Sequence, residues 1–197
     1  MQARIVMTRA ILGASLLLVL AACGHTENPG PAPLDLATVD WAEAVVPGDL
    51  CLTPQPVQLH DGTATVVDEQ WGNLIYGLGD RRPTYGDLTG DGLEEAGIDV
   101  YCVPEGAGGS AVISRGFLIF DGSSGVYRSI GAITAVHPRV PGLAQPFVES
   151  IEIEPGRITA HEKFFAESDP SCCPGNDAVT TWTFDGTSLT HGPAAVG

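Results

Sequence analysis

Lysine is almost missing from this sequence: Lys163 is the only one, and with arginine it makes 9 basic side chains against 24 acidic ones, a net charge of −15. A field of that sign repels phosphate backbones, so nucleic acid is not an expected partner, nor is direct docking of the folded chain on anionic headgroups. No apolar run reaches the ~20 residues that cross a bilayer as a helix. Long stretches with helical periodicity are missing too, which argues against a helical bundle. No internal repeat is visible, so a full propeller is not supported.

The signatures of common catalysts are equally scarce. His161-Glu162-Lys163-Phe164-Phe165 lacks the second histidine of a zincin helix and lies in an alternating, strand-like stretch. Gly122-Ser123-Ser124-Gly125 has the wrong spacing for a nucleophile elbow and reads as a hairpin turn. Gly106-Ala107-Gly108-Gly109-Ser110 lacks the following helix and lysine of a phosphate-cradling loop. His25, His60, His137 and His191 carry no motif. Acids are abundant, however, and a glycosidase-type pair of carboxylates needs no local signature. A secreted hydrolase with an acidic active site is therefore the alternative to a non-catalytic module.

What is present begins at the N-terminus. Arg4 and Arg9 precede an apolar run from Ala10 to Leu20, and Leu20-Ala21-Ala22-Cys23 follows. Small residues before a cut site allow the peptide to lie extended in a peptidase cleft. The Leu-Ala-Ala-Cys box resembles that of bacterial lipoproteins, which implies cleavage after residue 22 and a diacylglycerol thioether on Cys23. The expected address is the outer face of a cell membrane, held by lipid, with two or three acyl chains giving firm attachment. Removing residues 1–22 takes away Arg4 and Arg9, leaving 7 basic against 24 acidic side chains, a net −17 on 175 residues. That length suits one domain with a sizeable core.

Residues 23–37, rich in proline and glycine, read as the lipidated cysteine and a tether. Residues 38–197 read as a single extracytoplasmic domain. Thr38 or Asp40 is expected to cap a short helix over Trp41 to Val46, ended by Pro47-Gly48. From Val57 onward the pattern is β. Val57 to His60 and Thr63 to Asp68 flank an Asp61-Gly62 turn and predict a hairpin. Further strands are predicted over Gly97 to Tyr101, Ala111 to Phe120, Val126 to Thr134, Val148 to Ile153, Arg157 to Phe165, Thr180 to Phe184 and Ser188 to His191. The expected fold is all-β: an antiparallel meander, sandwich or partly open barrel with one short N-terminal helix.

Four cysteines remain beside Cys23: Cys51, Cys102, Cys172 and Cys173. An even count outside the cytoplasm predicts two disulfides. Zinc is disfavoured, since no C-x-x-C pair or suitably spaced histidine is present. Bonding Cys172 to Cys173 would strain an eight-membered ring, so bridges from that pair to Cys51 and Cys102 are expected, in either pairing.

One loop carries metal-site chemistry. Counting Asp87 as position 1, oxygen donors fall at positions 1, 3 and 5 (Asp87, Thr89, Asp91), glycine at 6 (Gly92) and a carboxylate at 9 (Glu95). The carbonyl of Leu93 at position 7 adds a donor. Alternating oxygens on a tightly curled loop suit a hard divalent cation, and calcium more than the water-retaining magnesium. Position 12 is Ile98 in a strand-like segment, which rejects an EF-hand. The Asp-x-Thr-Gly-Asp-Gly-x-x-Glu run resembles the calcium loops of integrin-α type FG-GAP and VCBS repeats, which implies a structural ion between two strands. Arg81 and Arg82 are the rival counter-charge for these acids. The lipobox, the Val39-Asp40-Trp41 segment, this loop, Cys102 and the late Asp169-Pro170-Ser171-Cys172-Cys173-Pro174 together resemble uncharacterised secreted lipoproteins of high-GC Gram-positive bacteria. Expected partners are the membrane, through the lipid, and a protein or polysaccharide of the cell envelope.

Overall fold

The structure, a computed structural model, describes residues 30–107, 111–170 and 173–197. The signal segment and Cys23, like Cys172, lie outside the described residues. A compact unit runs from Pro31 to Gly197, so it begins before the expected boundary at Thr38. The reason is apolar burial: Leu36 is buried in the core, Leu34 packs against it, and the Leu34 N–H donates to the Gly122 carbonyl.

The unit is mostly antiparallel β-sheet, as the turn spacing predicts. Its N-terminal part holds only single 3-10 turns, at Leu36–Thr38, Trp41–Glu43 and Asp49–Cys51. The helix expected over Trp41 to Val46 stops after one turn. Asp40 caps it by accepting the Ala42 N–H, but β-branched Val45 and Val46 then extend as strand β1 (Val45–Val46) beside β2 (Val57–Gln58).

The central sheet contains β3 (Thr63–Asp68), β4 (Gly72–Leu78), β5 (Thr84–Gly86), β6 (Glu95–Pro104), β7 (Ser114–Asp121) and β8 (Arg128–Thr134). Its order is β3-β4-β6-β7-β8, with β5 pairing β6. The second sheet contains β9 (Phe147–Glu154), β10 (Arg157–Phe164), β11 (Asn176–Phe184), β12 (Leu189–His191) and β13 (Ala195–Val196), in the order β12-β11-β10-β9 with β13 on β11. The Asp61-Gly62 turn forms as predicted, with reciprocal bonds between His60 and Thr63. The hairpin does not propagate: β2 pairs β1, and the partner of β3 is β4.

Period-two alternation divides the core into two layers. On β6, Ala96, Ile98, Val100 and Cys102 face one way and meet Leu118 and Phe120 of β7, Leu74 and Tyr76 of β4, and the N-terminal segment with Trp41 and Val46. Phe117 and Ile119 point to the opposite face and pack with Val148, Ile151, Ile158 and Trp182 of the second sheet. Each such side chain, fully buried, contributes about 2 kcal/mol. Gly97 permits the close approach of the sheets, since a Cβ there would lie 2.4 Å from the Ile151 Cδ1. The central sheet is thus covered on one face by residues 34–59 and on the other by the second sheet.

The expected disulfide pairing is corrected. Cys51 and Cys102 bond to each other, with Cα atoms 5.2 Å apart and both residues fully buried. The 3-10 turn Asp49–Cys51 lies against β6 in the covering layer, which brings this pair together. Cys173 is disulfide-bonded as well. Neither Cys51 nor Cys102 is therefore open to the Cys172–Cys173 pair.

Candidate functional site

The acidic loop links β5 to β6 and is fixed at its root. Leu88 is fully buried among the residues between the sheets, and its carbonyl accepts the Gly156 N–H from the β9–β10 turn. The loop therefore sits where the two sheets are joined. Its acids fold it locally: Asp87 accepts the N–H groups of Gly90 (2.7 Å) and Gly92 (3.0 Å), and Asp91 accepts that of Leu93 (2.9 Å). Gly90 and Gly92 take φ of 78° and 85°, the left-handed conformation that such a curl needs.

Glu95 is the unusual member. It is 1% exposed, and its Oε2 accepts the Leu88 and Thr89 N–H groups at 2.6 and 3.0 Å. Its other oxygen, Oε1, is buried without a hydrogen-bond partner among the described residues. Burial pushes the Glu95 pKa up; the two N–H groups oppose that, and the charges of Asp91 and Asp121 add to it. Extending the Ala96↔Phe120 register by one residue places Asp121 beside Glu95 across β6 and β7. A carboxylate opposite a carboxylate is repulsive.

Of the two rival counter-charges, Arg81 is engaged elsewhere and Arg82 forms no ion pair among the described residues. Arg81 pairs with Asp99 at 3.2 Å, and Arg115 grips the same carboxylate with two nitrogens, at 3.2 Å (Nε) and 2.8 Å (Nη2). Asp99 thereby holds the Arg115 guanidinium more firmly protonated than usual. Arg128 pairs with Asp121 at 2.9 Å. Burial acts to raise the Asp121 pKa, but the Ser123 N–H and Arg128 outweigh it and the result is lowered. Among the described residues, no basic side chain forms an ion pair with Asp87, Asp91, Glu94 or Glu95.

The expected ligands are thus gathered only in part. Asp87, Asp91 and Glu95 all belong to one curl, and Glu95 lies beneath it. No group of three or more His, Cys, Asp or Glu side chains converges as a cation cage among the described residues. Thr89 and Leu93 lie exposed on the outer side of the loop. The donor chemistry still fits a hard cation at one point, the unpartnered Glu95 Oε1, and each bonded carboxylate oxygen of Asp87 and Asp91 keeps a further lone pair.

The other buried acids have structural employment. Glu162, 1% exposed, accepts the Val136 and His137 N–H groups at 3.0 Å each and the Thr180 hydroxyl at 2.5 Å, which ties the 135–147 connection to the second sheet. His137 then stacks on Phe164 with 3.6 Å between ring centroids. Sequence reasoning missed Asp99 and Glu162, because their partners lie 16 to 26 positions away. Matching the chain against protein-family models, curated proteins and solved structures finds no counterpart.

Proposed function

We propose that this chain is a lipid-anchored extracytoplasmic binding module, attached through Cys23 and braced by disulfide and calcium. The observation that carries the reading is the Cys51–Cys102 bridge. It is sealed inside the core, and structural bridges of this kind belong to oxidising compartments outside the cytoplasm. The lipobox ending at Cys23 supplies a route to that compartment and a means of staying there. Buried carboxylates committed to arginines and backbone N–H groups favour a binding role over hydrolysis, since a catalytic pair must face a substrate cleft.

Calcium enters at the 87–95 loop. Its support is the buried Glu95 Oε1, together with three further acids that lack a basic partner. A dication there would offset most of the charge of Asp87, Asp91 and Glu95 and fix the turn that joins the sheets. Its role would be structural. Saturating calcium, at a hundred times its dissociation constant, adds about 2.7 kcal/mol to the folded state. The melting temperature of the native chain is therefore expected to rise in millimolar calcium. Asp91→Ala should remove that rise while leaving the calcium-free melting temperature close to wild type. A wild-type melting temperature indifferent to calcium would refute the ion.

A further inference from the structure

A cavity of about 620 Å³ opens beside β1, far in sequence from the acidic loop. That volume lies within the range of small-molecule sites. One wall is the 47–56 segment, with Pro47, Pro54 and Pro56; the other is the β7–β8 turn, with Gly125, Val126 and Tyr127. Val45 and Val126 at the rim are 42% and 64% exposed, large apolar surface left in water. Phe120 forms part of the floor and packs against Trp41 in a tilted arrangement and against Tyr127 edge-on, at ring-centroid distances of 4.9 and 5.8 Å.

The cleft is preorganised. Its 47–56 wall is stapled to β6 through Cys51–Cys102, and the Ser114 hydroxyl donates to the Leu50 carbonyl. The Gly48 carbonyl accepts the N–H groups of both Cys51 and Thr53, and a Cβ at Gly48 would lie 2.3 Å from the Gln55 carbonyl oxygen. Three rings of fixed φ and a covalent staple leave little freedom to lose on binding. Across the cleft, the Tyr127 hydroxyl accepts the Val45 N–H at 3.0 Å and keeps its own proton to donate.

The charge in the lining has one sign. Asp49 is the only ionisable acid or base among the lining side chains apart from the tyrosine phenol, and no ion pair or hydrogen bond engages its carboxylate among the described residues. Aromatic rings and an unpaired carboxylate lining one apolar cleft are complementary to a cation carried on an apolar body.

We propose that this cleft binds a small cationic amphiphile, its apolar body against Val45, Phe120 and Val126 and its ammonium group beside Asp49 and the Tyr127 ring. The proposal rests on the binding-module reading and deepens it by naming the site and the ligand class.

The test uses the full chain in its membrane and a matched pair of photoreactive probes, a dodecyltrimethylammonium and a dodecyl sulfonate, each with a diazirine in the alkyl chain. Crosslinked peptides are mapped by mass spectrometry. The cationic probe should label residues 45–56 and 120–129 about tenfold more than the sulfonate, the scale of one exposed carboxylate that attracts the first probe and repels the second. Asp49→Asn should bring the two probes close to equality, and Val126→Arg should suppress cationic labelling of the cleft. Both side chains are exposed, so neither variant challenges folding. Equal labelling by the two probes in wild type, a cation preference that survives Asp49→Asn, or labelling centred elsewhere would overturn the proposal. A cleft that fails leaves the Cys23 anchor and the calcium loop standing, because each is read by its own measurement, the intact mass of the membrane-bound chain and the calcium-dependent melting temperature.

Discussion

Replacing Cys51 and Cys102 together by alanine is expected to destabilise the domain by about 4 kcal/mol, the chain-entropy value for a bridge that closes a loop of this size. The sequence separation is 51 residues. Both residues are fully buried, so the lost sulfurs also leave unfilled volume. The damage should be local in the folded state. The bridge joins the layer formed by residues 34–59 to β6, and that layer is otherwise held by apolar contacts and by hydrogen bonds such as those linking the Ser114, Tyr76 and Tyr127 hydroxyls to Leu50, Pro47 and Val45. Urea unfolding of the double variant against the oxidised wild type gives the magnitude. Hydrogen exchange should show the 47–56 segment opening first. A change below 1 kcal/mol would mean that the covering layer is held without its staple.

Asp99→Ala should cost a similar amount, about 3–5 kcal/mol, because it strands charges rather than merely deleting a contact. Asp99 has no exposed side-chain surface, and the side chains of Arg81 and Arg115 are 29% and 23% exposed. Removing the carboxylate leaves two guanidinium groups close together, with only the exposed Asp80, 3.5 Å from Arg115, to answer them. Arg115→Ala should relieve much of the penalty when combined with Asp99→Ala. A double-mutant cycle measured by urea unfolding is therefore expected to show coupling above 1 kcal/mol. Additive single and double variants would deny that the cluster acts as a unit.

The β character of this chain was legible because its turns are written locally. Asp61-Gly62, Asp121-Gly122, Glu154-Pro155-Gly156 and Asp185-Gly186 each mark a reversal, and the strands on either side alternate. Strand β4 escaped that reading: Gly72 and Gly77 interrupt a run of only seven residues, and its apolar face shows itself only when β3 and β6 flank it. The short helix was misread for a physical reason. Trp41-Ala42-Glu43 has a good cap and good helix formers, but one turn cannot offset the strand pairing open to Val45 and Val46.

Connectivity of the cysteines was illegible because spacing carries no information about which strand each residue meets. The acidic loop stood out, since its donors alternate within nine residues. The burial of Glu95 did not, because it depends on the second sheet closing over β5 and β6. The Asp49 cleft is likewise invisible in one dimension: its walls are contributed by residues 34–56 and 120–129, and only the fold brings them face to face.

The most direct measurement on the whole account is the intact mass of the protein recovered from membranes, before and after thiol alkylation without reductant. The expected result is a chain that starts at Cys23, carries a diacylglycerol thioether, and takes up no alkylating agent at Cys51 or Cys102. A chain recovered without lipid, still beginning at Met1 and alkylated at those cysteines, would contradict it.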